Sequence, residues 1–228
     1  MNYEDDIFPA YYSLYRAEAE IPASTEDEYL VGIPLANEAI NRWANYDNTM
    51  WKELFNTLQE ADSGTKVVSA TTDYAAPEDM KTVGGFVSIK GTDGGVVRRY
   101  RIVEPQDVQF ESESSHYAYF TGDPNNGFTM HLNPTPDTAI IGLNIDYVYY
   151  KKPTTITATG GEIVEMSQPY FIVHRMLANR FRSSRNPYYG SAKTDAEDAL
   201  RTMQLENNSG NWANPWSIVD RSGSSWGS

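Results

Sequence analysis

Apolar positions follow two rhythms along this chain, a helical one near both ends and an alternating one between them. Residues 10–20 place Tyr11, Leu14 and Tyr15 on one side of a short helix. Thr25 with Glu28 three residues on forms a capping-box pattern, which predicts a long helix from about Glu26 to Tyr46. Ile33, Ala36, Ile40 and Trp43 recur there at helical spacing, with Pro34 marking a start or a bend. After the turn residues Asp47, Asn48 and Thr49, a second helical piece to about Gln59 puts Met50, Trp51, Leu54 and Leu58 on one face.

The pattern changes at Ala61-Asp62-Ser63-Gly64. Residues 66–74, 86–90, 96–103, 116–121, 127–132 and 140–152 are rich in Val, Thr, Tyr and Ile and read as strands. Thr92-Asp93-Gly94-Gly95 and Asn125-Asn126-Gly127 are hairpin turns, because glycine supplies the positive φ they need. Short connections imply antiparallel pairing and a sandwich or small barrel. Ser167 then caps a helix with Tyr170, Val173, Leu177 and Phe181 facing inward. Asn186-Pro187 interrupts it, and a last helix from about Tyr189 to Glu206 turns Ala192, Ala196, Ala199, Leu200 and Met203 inward. The expected fold is α+β. Helical segments 1–62 and 167–206 pack together as a bundle, a β domain over 63–166 is inserted between them, and 207–228 is an extended tail.

Charge alters this picture more than length does. The chain has 228 residues, a formal charge of −13 and no cysteine. That excludes a disulfide-stapled miniprotein, a cysteine-ligated metal site, and a DNA-binding surface of the usual basic kind. The acidic start MNYEDDIF is neither a signal nor a transit peptide, and no apolar run approaches the roughly 20 residues of a membrane helix. The charge is uneven: residues 1–62 carry a net −10, residues 63–167 a net −5, and residues 168–206 a net +2.

Candidate chemistry is thin. His116, His131 and His174 match no metal-ligand spacing. The pairs Gly84-Gly85 and Gly94-Gly95 precede strands, so they cradle no phosphate. Asp5-Asp6, Glu26-Asp27-Glu28, Glu78-Asp79 and Glu162 with Glu165 are read as solvated carboxylates; a hydrolase of cell-wall sugar would need two of them facing across a cleft. Asp123 to Gly127 has the oxygen ligands of a calcium loop without its alternation and is read as a plain hairpin. Asn207-Asn208-Ser209 is a glycosylation triplet of the kind that arises by chance. Tyr147, Tyr149 and Tyr150 admit a second reading, an exposed aromatic platform of a carbohydrate-binding β module.

Two features point to partners. Arg175, Arg180, Arg182 and Arg185 crowd one helix and its end, where they meet either the acidic N-terminal part of the same chain or a neighbouring subunit. The tail holds Trp212, Trp216 and Trp226 among Asn, Ser and Gly. Tryptophan is the residue most enriched at interface hot spots, so this tail either folds back on its own domain or docks on another chain.

The order of short motifs resembles the head-to-tail adaptor (connector) proteins of tailed bacteriophages, particularly the tail-tube adaptors of short-tailed phages. The carriers are Ala39-Ile40-Asn41-Arg42-Trp43-Ala44, Tyr74-Ala75-Ala76-Pro77-Glu78-Asp79, Leu132-Asn133-Pro134-Thr135-Pro136, the strand Ile145 to Tyr150 with Lys151-Lys152-Pro153, and the helix Ile172 to Arg185. The match spans roughly residues 26–206. The resemblance implies a virion protein of the phage neck, made in the bacterial cytoplasm and without catalytic residues or cofactors. It implies a homo-oligomeric ring, typically a dodecamer, between the portal protein and the tail or nozzle, with DNA as passing cargo at ejection. Trp212, Pro215, Trp216, Ile218 and Trp226 would then anchor the tail to the portal, and Arg175, Arg180, Arg182 and Arg185 would lie between subunits.

Overall fold

The computed structural model describes residues 1–17, 20–61, 64–112 and 114–209. They form two compact units, one of Met1–Leu54 with residues 153–209 and one of Phe55–Lys152. The fold is α+β, with the strands inserted in sequence between helical segments.

The helical unit opens with a π-helical turn, Tyr3–Ile7, capped by the Asn2 side chain, which accepts from the Asp5 N–H at 2.7 Å. It runs into α1 (Phe8–Tyr15), then α2 (Asp27–Ala44), α4 (Tyr170–Ser183) and α5 (Tyr189–Ser209). Helix α4 lies against α1, α2 and α5. Helix α2 buries Tyr29, Ile33, Ala36, Ile40 and Trp43, the face its spacing predicts, and continues through Pro34. Its start differs from the expected capping box. Glu26 is the N-cap residue without a side-chain cap, and Glu28 instead accepts from Tyr12 Oη at 2.7 Å and pairs with Arg16 at 3.1 Å.

An aromatic knot ties the N-terminus to this helix. Tyr3 is fully buried and donates its hydroxyl to the Tyr29 carbonyl at 2.9 Å. Its ring packs on Phe8 and Tyr29, and the N–H groups of Tyr3 and Glu4 both reach the Gly160 carbonyl. Gly32 is required for the fit: a Cβ there would lie 2.0 Å from the Tyr3 hydroxyl. Gly160 (φ +67°) is equally constrained, since its Cβ would lie 2.0 Å from the Tyr29 hydroxyl.

The expected helix over 49–59 does not form. Lys52–Leu54 is a 3₁₀ turn, Phe55–Thr57 is strand β1, and Leu58–Ala61 is the short helix α3. Trp51, Leu54 and Leu58 are buried as expected, but in different places. Trp51 donates its indole N–H to the Trp43 carbonyl at 2.7 Å in the helical unit, while Leu58 joins the sheet core. Their helical spacing is therefore not one face of one helix. The boundary between the units falls inside it, after Leu54.

Helix α4 begins two residues later than its sequence suggests. Pro169 holds the N-cap position, and Ser167 donates its hydroxyl to Glu53 at 3.1 Å instead. Tyr170 is turned out, 65 % exposed, and the buried face is Phe171, Ile172, Val173, Met176, Leu177 and Ala178. Helix α5 buries Ala192, Ala196, Leu200 and Met203. Its last turn is clamped by Asn207, whose side chain accepts from the Lys52 N–H at 3.1 Å and donates to the Met50 carbonyl at 3.0 Å.

The other unit is one curled sheet of seven strands, a half-barrel, where an antiparallel sandwich or small barrel was expected. Its order is β1-β7-β3-β4-β5-β6-β2, with β2 at Asp73–Ala75, β3 at Met80–Lys90, β4 at Val96–Ile102, β5 at Tyr117–Asp123, β6 at Gly127–Asn133 and β7 at Asn144–Lys151. All pairs are antiparallel except β4 with β5, which meet in parallel at Arg101↔Tyr117 and Ile102↔Ala118. A crossover carrying the 3₁₀ segment Pro105–Phe110 separates them, as a parallel pair requires. Most of the expected strand 66–74 is a loop turning at Ala70 (φ +58°), and only its end pairs as β2. The core holds Val87, Ile89, Tyr100, Ala118, Met130, Leu132, Ile145, Tyr147 and Tyr149.

Candidate interaction surfaces

The residues that invite a catalytic reading have structural roles. Glu162 accepts from the Thr157 and Thr159 hydroxyls, and the bond from Thr157 holds its carboxyl below the usual range. A glycosidase acid needs the opposite shift. Glu165 receives the Thr154 hydroxyl at 2.6 Å and the Thr154 N–H at 3.0 Å. Asp79 accepts from Tyr149 Oη at 3.1 Å within the sheet unit. Asp123 takes the N–H groups of Asn125 and Asn126 and the Asn126 amide, at 2.8, 3.1 and 2.8 Å. These bonds close a hairpin with Gly127 at φ +88° and explain the lowered Asp123 pKa, the Asn126 side chain first. Among the described residues, no group of three His, Asp or Glu side chains is placed to hold a metal ion.

The histidines are held separately. His116 stands edge-on to Tyr100, with centroids 5.4 Å apart, and His174 stacks on Tyr170. His131 joins a chain that sequence reasoning missed: Asp73 Oδ1 to His131 Nδ1 at 2.8 Å, and His131 Nε2 to Thr121 Oγ1 at 2.7 Å. Its connectivity is that of an acid, a base and a hydroxyl. It lies across β2, β5 and β6, with Asp73 and Thr121 exposed, His131 half-buried, and Tyr119 stacked on the imidazole at 4.5 Å. The open cleft of about 360 Å³ lined by Met80, Lys81, Arg101, Glu104 and Phe120 includes no member of the chain. The only sequence signal for it was the period-two placement of Asp73, Thr121 and His131 on the face opposite Tyr74, Phe120 and Met130.

The aromatic platform is overturned. Tyr147, Tyr149 and Tyr150 are all buried, the first two in the sheet core and the third edge-on to Phe55. A strand buried on both faces reads as an aromatic run in sequence, yet offers no ring to a sugar.

The four arginines divide. Arg175 donates to Glu38 at 2.9 Å, tying α4 to α2. Arg180 donates to Tyr15 Oη at 3.4 Å and lies 5.5 Å from its ring centroid, lowering the Tyr15 pKa chiefly through the hydrogen bond. Arg182 and Arg185 are exposed at the end of α4, Arg185 with φ +53° in the turn to α5. Trp212, Pro215, Trp216, Ile218 and Trp226 lie outside the described residues.

The described residues thus leave charges turned outward at the end of α4 and apolar side chains exposed on α2. Over residues 13–219 the chain matches the SU10 adaptor protein family, and it belongs to that family. It is thus a structural adaptor of a phage and a component of the virion. No curated protein matches it. No described helix is long and apolar enough to cross a membrane.

Proposed function

We propose that the chain forms a head-to-tail ring, a dodecamer, that joins the phage portal to the tail and lets DNA pass. Membership in the adaptor family carries this reading. A ring of identical copies needs two different complementary surfaces on one chain. The net −10 of residues 1–62 and the outward Arg182 and Arg185 supply two such surfaces. Arg175 and Arg180, engaged within the chain, hold α4 in position so that the outward pair is presented. Acidic walls repel phosphate and allow DNA to slide, which suits a chain of charge −13. The tryptophan tail docks on the portal through Trp212, Pro215, Trp216, Ile218 and Trp226.

The test is sedimentation and electron microscopy of the purified chain, alone and mixed with its portal. Rings, or co-sedimentation with the portal, are expected. A chain that stays monomeric and ignores the portal overturns the reading.

A further inference from the structure

The side of α2 turned away from the protein is apolar where a self-sufficient fold would be polar. Helical spacing puts Leu30, Val31 and Pro34 opposite the buried Ile33, Ala36 and Ile40. Leu30 is 39 % and Val31 47 % exposed, and Pro34 is exposed between them. An amphipathic helix that has buried one face carries polar residues on the other. Here the first half of α2 is apolar on both faces, and exposed Glu26 and Asp27 stand at its N-terminal end.

A second surface of the same unit has the matching character. The α4–α5 turn presents Arg182 and Arg185, and Tyr188 just before α5 is 68 % exposed. Arg185 is fixed by the turn itself: its N–H donates to the Arg182 carbonyl, and the Asn186 N–H donates to the Phe181 carbonyl at 2.9 Å. One surface is apolar with an acidic end, and the other is an aromatic flanked by cations. They belong to different elements of the chain, the condition for a heterologous contact between copies.

We infer that the outer face of α2 in one copy receives the α4–α5 turn of the next, with Tyr188 seated on Leu30, Val31 and Pro34 and the arginines meeting Glu26 and Asp27. The inference rests on the ring reading above and names the two halves of its subunit contact. Tyrosine suits the central position, since it brings a large rigid contact area at small entropic cost. The arginines at its rim set orientation and register more than affinity.

The absence of cysteine gives a clean test. Full-length chain carrying both Val31→Cys and Tyr188→Cys is assembled and oxidised. A ladder of dimers, trimers and higher species on denaturing gels, collapsed by reductant, is expected. Each single variant gives dimers at most. Separately, Arg182→Glu with Arg185→Glu should raise the concentration needed for assembly at least tenfold while the melting temperature stays within a degree or two. Adding Glu26→Arg and Asp27→Arg should recover most of that loss. A double-cysteine variant that assembles yet gives no ladder, or a glutamate variant that assembles as readily as wild type, overturns this contact and leaves the ring reading standing. A wild-type chain that never assembles, with or without portal, removes both.

Discussion

Replacing Gly32 by alanine probes the knot at the N-terminus directly. On helix propensity alone Gly32→Ala should stabilise α2 by about 1 kcal/mol. The structure predicts the opposite sign. The new Cβ would lie 2.0 Å from the Tyr3 hydroxyl, whereas unstrained contacts begin near ~3.4 Å, so the phenol must retreat by roughly 1.4 Å. It has nowhere to go, because its ring is packed against Phe8 and Tyr29 and is fully buried. Overpacking costs about 1–3 kcal/mol, and a hydroxyl torn from the Tyr29 carbonyl costs about 1–3 more. Net of the propensity gain, Gly32→Ala should destabilise the helical unit by about 3 kcal/mol, a fall in melting temperature of roughly 6–12 °C. Tyr3→Phe alone should cost only about 1 kcal/mol, since the Tyr29 carbonyl keeps its place in the α2 ladder. In the Tyr3→Phe background the nearest remaining atom is in Phe8 at 3.2 Å, so Gly32→Ala should become nearly neutral or slightly stabilising. Guanidinium unfolding of the four proteins, followed by helical circular dichroism, measures this coupling. An equal cost for Gly32→Ala in both backgrounds would refute the steric argument.

Three further outcomes follow from the contacts. Trp51→Phe removes the indole donor to the Trp43 carbonyl and should cost about 1–3 kcal/mol; Trp43→Phe should cost less, because its own buried indole N–H has no partner among the described residues. Thermal melts of the two variants give the order, and a costlier Trp43→Phe would contradict it. The Asp73 carboxyl is held below its ordinary range, chiefly by the His131 hydrogen bond. A depressed carboxyl stabilises the fold above its unfolded pKa and loses that contribution as pH falls through the folded value. The melting-temperature gap between wild type and Asp73→Asn should therefore be constant above about pH 5 and shrink below about pH 4; a gap that widens in acid would reverse the sign. Deleting residues 210–228, which spares the Asn207 clamp, should leave the helical melt unchanged and abolish co-sedimentation with the portal, whereas a lowered melt with intact binding would favour a tail that folds back on its own chain.

Legibility in the sequence followed the number of cores a segment serves. Helices α2 and α5 each face one core, and Ile33, Ala36, Ile40 and Trp43 or Ala192, Ala196, Leu200 and Met203 were readable as one stripe. Trp51, Leu54 and Leu58 kept the same spacing while serving two units, so periodicity misled there. The parallel β4–β5 pair went unread although the connection over 103–116 has the length of a crossover, because the short hairpin turns elsewhere in the unit set the expectation of antiparallel neighbours throughout. The tyrosines of β7 misled for a related reason: composition reports an aromatic strand, and burial decides what its rings can touch. Of the candidate surfaces, the four arginines were legible as a group. Their division into an inward pair and an outward pair depends on where Glu38 and Tyr15 lie across the fold.

Because the sheet is inserted into the helical unit, synthesis and folding run in different orders. Helix α2 leaves the ribosome long before α4, the helix that covers Ile33, Ala36 and Ile40. At ordinary elongation rates that interval is on the order of ten seconds. During it the inner face of α2 is an uncovered apolar stripe on a nascent chain, while the sheet can already complete itself. Its first and last strands pair directly, Phe55 opposite Tyr150, so closing the sheet draws Leu54 and Pro153 together. The insertion thereby shortens the loop that α4 must close to reach α2 from over a hundred residues to under thirty, residues 45–54 and 153–169, which lowers the entropic cost of closing it.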